Sequence, residues 1–274
     1  MSDVFLSRSG RRALLGFFGA FLIFLYAPTL VLVMFSLNDS AVAGFPFVGA
    51  TLRWYSAAVH EPEVRKALLA SIEVGLATAF LATGVALGVS YALARRRFPG
   101  RSVVSALALL PLVVPTVVMG VSLLVLFRPN GPVIPIPLSL WAVLIGHVVV
   151  ALPFCILILM PRIASIDRRL EEAAEDLGAS WWQTFRLVVL PLIGPAVVSS
   201  LLVGFVTSVD EVVIASFLVG DQVTLPVYLY SGLRFAERTM MLVPVASVMI
   251  VASFVLVVAA DLVRRAGDRR LGAA

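Results

Sequence analysis

The sequence predicts an all-α membrane protein with six transmembrane helices. Hydrophobic residues make up 61% of its 274 residues and charged residues only 14%, whereas a soluble domain is typically about 45–50% apolar. The mean hydropathy is +1.04. A helix of about 20 apolar residues crosses a bilayer with its backbone groups satisfied. Six stretches fulfil this requirement, at 13–37, 67–94, 102–127, 139–160, 191–219 and 240–263.

The basic residues predict the orientation of these spans. With six spans, 15 of the 21 Lys and Arg residues fall on the side that holds both termini, and six fall on the opposite side. Because cytoplasmic loops carry the excess of basic residues, both termini are expected in the cytoplasm. The apolar run of the first span is about 25 residues long, beyond the usual 7–15 of a signal peptide, which favours a retained span.

The predicted spans and their orientation divide the chain into consecutive regions. These are a cytoplasmic N-terminus at 1–12, the first span at 13–37, an external segment at 38–66, a five-span core at 67–263 with a cytoplasmic loop at 161–190, and a cytoplasmic tail at 264–274.

Several classes of function are disfavoured by what the sequence lacks. The single lysine, Lys66, is not preceded by the glycines of a Walker A loop, so the chain is not expected to bind ATP in that way. One cysteine, Cys155, and two distant histidines argue against a disulfide and a metal site. An intramembrane enzyme would need a catalytic set that is not evident. A stand-alone secondary transporter is expected to show inverted repeats or broken helices, and we predict neither.

The cytoplasmic loop at 161–190 predicts two short helices that meet at a glycine. Ser165 is the predicted N-cap of the first helix, which ends at Gly178 in the left-handed conformation. Ser180 and Gln183 have the spacing of a capping box that starts the second helix. The helical period puts apolar side chains on one face of the first helix, at Ile166, Leu170, Ala173, Ala174 and Leu177.

Two interpretations of the first helix remain open from spacing alone. Small residues at Ala173 and Ala174 would let the backbone of another protein approach closely, and Glu171 and Glu172 beside them could pair with a cation of that partner. Alternatively, the segment is an ordinary amphipathic helix at the membrane surface.

The same loop resembles the EAA loop of the permeases of binding-protein-dependent importers. That pattern is E-A-A-x3-G-x9-I-x-L-P, and the chain departs from it only at Val188. The matching residues are Glu172, Ala173, Ala174, Gly178, Leu190 and Pro191. The resemblance implies the type I ABC importer permease fold (MetI-like), a place in the bacterial inner membrane, and docking of these residues, with Glu171, to a separate ATPase.

The resemblance also implies the partners. It implies an ABC ATPase dimer that holds ATP and magnesium, a second homologous permease and a periplasmic binding protein, in addition to the membrane lipid around the predicted spans. This chain would then carry no catalytic residue and no cofactor, and no nucleic-acid partner is expected.

Acidic side chains inside the predicted spans suggest a path for a cationic solute. Glu73 lies in the second span, and Asp210 and Glu211 lie in the fifth, all in the outer half of the bilayer. Neighbouring residues on a helix point about 100° apart, so Asp210 is the preferred candidate of that pair. Tyr228 could add a cation–π contact. The alternative is a hydrogen bond between helices, or an ion pair with an arginine of a partner chain.

Three further stretches resemble permeases of the spermidine/putrescine type. They are LLPLVVPTVVMGVSLL at 109–124, SVDEVVIASFL at 208–218 and TLPVYLYSGLRF at 224–235. The usual S-x-D-D-F of that group is Ser208-Val-Asp210-Glu211-Val212 here, so the acidic pair is kept and the aromatic residue is lost. The resemblance implies a polyamine cargo, although permeases for ferric iron and aminophosphonates share much of the pattern. The acidic bias of one half-site suggests a heterodimer of permeases.

Overall fold

The computed structural model describes residues 8–128 and 135–272, in which helices form the regular structure. An isolated antiparallel bridge joins Asn38 and Ala50. The α-helices of the described ranges are α1 Arg8–Ser36, α2 Arg53–His60, α3 Pro62–Arg95, α4 Arg101–Leu109, α5 Thr116–Leu126, α6 Leu140–Ser165, α7 Arg169–Asp176, α8 Trp181–Thr184, α9 Leu190–Asp210, α10 Val213–Leu218, α11 Leu225–Gly232 and α12 Ala236–Gly272.

Five helical segments in the described part of the chain are long and apolar enough to cross a membrane, and a bent pair makes a sixth. The five are Gly10–Ser36, Pro62–Arg95, Leu140–Ser165, Trp181–Asp210 and Arg238–Arg265. The predicted all-α membrane fold is therefore confirmed. Residues 1–7 of the predicted N-terminus (1–12) lie outside the described residues. The last two residues of the predicted tail (264–274) also lie outside them.

The bent pair replaces the single helix predicted over 102–127. Arg101–Leu112 and Thr116–Leu126 meet at an angle of 106°. Pro115 is the N-cap of α5, with φ −56° and ψ 132°, and proline disfavours helical geometry at the residue before it. It also has no N–H to continue the helical hydrogen bonds. The chain therefore stops one helix and starts another.

A second break divides the span predicted over 191–219. Helix α9 ends at Asp210, and Glu211 has the extended angles φ −80° and ψ 110°. The Glu211 carboxylate accepts hydrogen bonds from the backbone N–H groups of Val213 (2.7 Å) and Ile214 (3.0 Å), which begin α10. The prediction that the chain has no broken helices is wrong at both places.

The chain folds as two compact units, of which the first comprises residues up to Glu61 together with Gly232–Ile250. Asn38, which is buried, organises the segment after α1. Its side-chain oxygen accepts from the Val48 N–H (2.9 Å), and its carbonyl accepts from the Trp54 indole (3.2 Å). The hydroxyl groups of Ser36 and Tyr55 lie 2.7 Å apart. These contacts hold α2 against the end of α1.

The second unit comprises Pro62–Ser231 and the chain from Val251 onward. Its core lies where α3, α6 and α9 pack together, and small residues bring these helices close, as is usual in membranes. A Cβ added at Gly204 on α9 would lie 3.3 Å from the Ala79 Cα on α3. One added at Gly75 on α3 would lie 2.9 Å from the Phe205 ring on α9.

Polar side chains join the same three helices inside this core. The hydroxyl groups of Thr83 and Ser200 are 3.0 Å apart. His147 Nδ1 lies 2.7 Å from the Ser208 hydroxyl, which donates to Thr78 at 3.3 Å. Hydrogen bonds between membrane helices contribute about 0.6 kcal/mol each on average. His147, which sequence analysis left without a role, therefore helps to align α6 with α9.

We expect Gly204→Leu to destabilise the second unit, because a side chain there meets the backbone of α3. Overpacking of a dense core typically costs about 1–3 kcal/mol. The midpoint of thermal unfolding, measured on the detergent-solubilised protein, should fall. Gly194→Leu is the matched control on the same helix, since a Cβ there meets nothing within 4 Å. Equal unfolding midpoints for the two variants would contradict the close approach of α3 and α9.

Candidate functional site

The loop between α6 and α9 forms an elbow, residues 166–184, that contains α7 and α8. Helix α8 continues through the π-helical turn Phe185–Val189 into α9. Pro191 lies at the second position of α9 and has no N–H to donate to the preceding turn. The π-helical turn lies directly before α9 in the chain. Leu190 begins α9 and is half-buried. The second of the two predicted short helices is therefore the start of a long one.

The turn at the centre of the elbow has the predicted geometry. Gly178 has φ +88°, and the Ala179 N–H donates to the Ala174 carbonyl at 3.0 Å, as in a Schellman motif. The capping box is confirmed: Ser180 N–H donates to Gln183 Oε1 (2.7 Å), and Gln183 N–H donates to Ser180 Oγ (3.4 Å).

The predicted start of the first helix is wrong. Ser165 is the last residue of α6, and its hydroxyl donates to the Arg162 carbonyl at 2.8 Å. Helix α6 extends this far because Ile163, and Ile166 just beyond its end, are buried in the core. The N-cap of α7 is Arg168, and the Asp167 carboxylate just before it accepts the Arg169 N–H at 3.0 Å.

Glu171 was expected to face a partner, and the structure contradicts this. Its carboxylate is buried and forms an ion pair with Arg95 Nε at 2.7 Å, with side-chain exposures of 9% and 11%. The Tyr91 hydroxyl donates to the second Glu171 oxygen at 2.8 Å. Both partners belong to the last turns of α3. Glu171 therefore fixes α7 to α3 and is not available to another protein.

Two further contacts join the elbow to α3. The Arg95 guanidinium donates to the Ile166 carbonyl at 3.0 Å. The Tyr91 ring packs edge-on against Trp181 and Phe185, with centroid distances of 5.9 and 5.5 Å. Sequence reasoning missed Tyr91 altogether and counted Arg95 only among the basic residues of the predicted cytoplasmic side. Their i, i+4 spacing at the end of a span was the only available signal.

Most of the predicted apolar face of α7 is exposed. Leu177 is 90% and Leu170 48% exposed. Ala173 is exposed and Ala174 half-buried. Glu172 lies on the exposed side, where it pairs with Arg168 at 3.3 Å. The elbow thus presents apolar and acidic groups that the described part of this chain does not cover.

Acidic residues line a second feature, a cavity of about 400 Å³ in the second unit. We call it the acidic cavity, and its charged residues are Glu63, Lys66, Glu73 and Asp221. Lys66 pairs with Glu63 at 3.0 Å. Glu73 and Asp221 are exposed and have no ion pair among the described residues. A hydrogen bond of 2.7 Å from the Leu225 N–H to the Ser71 hydroxyl fixes the Asp221 loop beside α3.

The structure gives the four residues predicted for the solute path different contacts. Only Glu73 lines the acidic cavity. Asp210 is exposed and accepts a hydrogen bond from Ser253 at 3.0 Å, whereas Glu211 caps α10. Tyr228 is half-buried on α11. Sequence reasoning missed Glu63 and Asp221, since both lie outside the apolar spans that were searched for acids.

Within the described residues, no group of three or more His, Cys, Asp or Glu side chains is arranged to hold a metal ion.

Comparison with known proteins identifies the family to which this chain belongs. Residues 84–272 match the binding-protein-dependent transport system inner membrane component. The chain belongs to this family. It is therefore the membrane permease of an ABC importer, in which ATP hydrolysis belongs to a separate subunit, and it works with a binding protein.

Two relatives show how far the similarity of this permease extends. The spermidine/putrescine transport system permease protein PotC of Escherichia coli (strain K12) is 34% identical over 91% of this chain and 93% of its own. PotC of Haemophilus influenzae is 36% identical over 88% of this chain and 92% of its own.

The fold of the permease is also that of a solved importer. A bacterial ABC transporter that imports the acidic polysaccharide alginate contains a chain that superposes with a TM-score of 0.66 at 21% identity, covering 96% of this chain and 99% of the other. This likeness confirms the importer permease fold.

Proposed function

We propose that this permease imports a polyamine such as spermidine or putrescine. The acidic cavity carries the proposal, because its unpaired carboxylates, Glu73 and Asp221, would attract a flexible organic cation and repel an anion. Two relatives whose names specify spermidine and putrescine support the same cargo. An aminophosphonate or another anionic solute fits this lining poorly.

We further propose the sidedness and partners that this function requires. Both termini and the elbow lie in the cytoplasm, where 15 basic residues support that orientation. The acidic cavity then faces the periplasm, where a binding protein would deliver the cargo. An ABC ATPase dimer binds ATP and magnesium, and a second homologous permease completes the path, most simply as a heterodimer.

The elbow is the proposed contact with the ATPase. Glu172, Ala173 and Leu177 offer an exposed surface of small, apolar and acidic groups, which is the composition expected of a docking helix. Gly178, Leu190 and Pro191 set the angle between this surface and α9. When ATP closes the ATPase dimer, α7 moves and the spans re-pack between inward-open and outward-open states.

The ion pair of Glu171 and Arg95 adds a second route for this movement. A displacement of α7 reaches α9 through the backbone and α3 through the buried ion pair. Helix α3 carries Glu73 about 17 Å from its start at Pro62. Movement of the elbow would therefore act on the helix that lines the acidic cavity.

The cargo is tested by uptake into proteoliposomes that contain the assembled importer and its binding protein. Radiolabelled putrescine or spermidine is expected to accumulate with ATP. Accumulation of ferric iron or an aminophosphonate without either polyamine would overturn the proposal.

Neutral variants test the cavity itself. We expect Glu73→Gln and Asp221→Asn each to raise the half-saturating polyamine concentration about 2- to 5-fold, as loss of one exposed ionic contact should. The effect should shrink at high salt. Glu61→Gln is the control, because this carboxylate does not line the cavity. Unchanged half-saturation in both cavity variants would show that the cation does not pass there.

A further inference from the structure

Arginine side chains surround a cavity of about 640 Å³ at the junction of α3 and α4. We call it the arginine pocket, and its lining is Ala94, Arg95, Arg96, Arg97, Arg101 and Arg168. The first four come from the end of α3 and the turn after it. Arg101 begins α4, and Arg168 comes from the elbow. The usual excess of basic residues on one side of a membrane does not require that five arginines line the same cavity.

The charge of the pocket is only partly balanced by the permease. Arg95 pairs with Glu171, and Arg168 pairs with Glu172. Arg96, Arg97 and Arg101 have no ion pair with any described carboxylate, and Arg101 Nε donates only to the Leu93 carbonyl at 3.1 Å. Three positive charges therefore face one cavity without a counter-charge from the described chain.

The backbone holds this arrangement in place. Gly100 has φ +84° and is the N-cap of α4, so the chain reverses between Arg97 and Arg101. That reversal brings the arginines of the turn back towards the end of α3. The cavity is thus a product of a defined turn.

We propose that the arginine pocket binds the phosphate headgroup of an anionic membrane lipid. Guanidinium groups recognise phosphate oxygens with two parallel hydrogen bonds, and basic pockets between membrane helices on the cytoplasmic side bind such headgroups. Free phosphate has the same chemistry. The lipid is the better occupant because α4 continues from the pocket with exposed apolar side chains, at Val103, Val104 and Leu107.

A lipid bound in the arginine pocket would also affect transport, because the pocket lies beside the elbow. Arg95 holds Glu171, and Arg168 lies on the elbow beside α7. A headgroup bound between them would brace the elbow against the α3–α4 turn. This inference does not depend on the identity of the cargo.

Lipid retention tests the proposal on the full-length permease, purified with the subunits that co-purify with it. The complex is incubated with vesicles of phosphatidylcholine with or without phosphatidylglycerol, re-isolated, and its bound lipid is measured by native mass spectrometry. We expect retained phosphatidylglycerol to fall roughly tenfold in Arg96→Gln/Arg97→Gln, which removes two unpaired charges. Arg11→Gln/Arg12→Gln is the matched control, with the same charge change outside the pocket.

The outcomes separate the possible sources of binding. Loss in the pocket variant alone supports the proposal. Equal loss of lipid in both variants would overturn the proposal, because basic residues anywhere on the protein would then attract the anionic lipid equally. No loss in either variant would overturn it as well. Displacement of the lipid by millimolar inorganic phosphate would assign the pocket to free phosphate instead. Uptake that rises with phosphatidylglycerol only in the wild type would add the predicted link to the elbow.

Discussion

Glu171→Ala is expected to separate ATP hydrolysis from transport. The substitution leaves the Arg95 guanidinium buried without its carboxylate and removes the acceptor of the Tyr91 hydroxyl. Loss of one partner of a buried ion pair costs about 3–5 kcal/mol. A cost of this size would lower the equilibrium constant for attachment of the elbow to α3 roughly 100-fold or more. We expect uptake per ATP hydrolysed to fall sharply, measured in proteoliposomes with the binding protein and ATPase present.

Two companion variants distinguish a transmission defect from simple destabilisation. The exchange Arg95→Glu/Glu171→Arg restores opposite charges and should recover part of the uptake. Glu175→Ala, on the exposed side of the same helix, should leave the elbow attached to α3. A destabilised complex would lose hydrolysis and uptake together, so an unchanged ratio of uptake to hydrolysis in Glu171→Ala would refute the proposed route through α3.

The ion pair also illustrates what the sequence could not predict. The turn of the elbow depends on residues within a few positions of one another, so Gly178 and the Ser180–Gln183 box were predictable from spacing. Glu171 lies 80 positions from Tyr91, and nothing local indicates that they meet. The same local pattern is compatible with a free carboxylate, and only the packing of α7 against α3 decides between the two.

The helix breaks and the acidic residues follow the same logic. Pro115 was visible in the sequence, but a proline in a span is compatible with a mild kink or a 106° bend, and the neighbouring helices determine which occurs. Glu211 was chosen because it is an acid in an apolar stretch. In the structure its carboxylate binds the backbone of α10, a role that composition does not distinguish from solute binding.

Gly178→Val is expected to disconnect the docking surface from α9. Gly178 has φ +88°, a conformation that costs an L-residue roughly 1–2 kcal/mol and is a genuine outlier for a β-branched one. A Cβ at this position would meet nothing within 4 Å, so the effect arises from the backbone and not from a clash. The elbow should open, and uptake should fall about tenfold or more while the protein still inserts and accumulates in the membrane.

A graded series makes the backbone origin of this effect measurable. Asparagine tolerates the left-handed conformation better than other residues, so Gly178→Asn should keep most of the uptake, Gly178→Ala less, and Gly178→Val least. Gly194→Val is the control on α9, where the added side chain is also unobstructed and φ is not positive. Similar uptake in the asparagine and valine variants would show that the left-handed turn is not what positions α7. The ordered series, with normal membrane levels throughout, would assign the loss to the angle between α7 and α9, because no side-chain contact changes at this position.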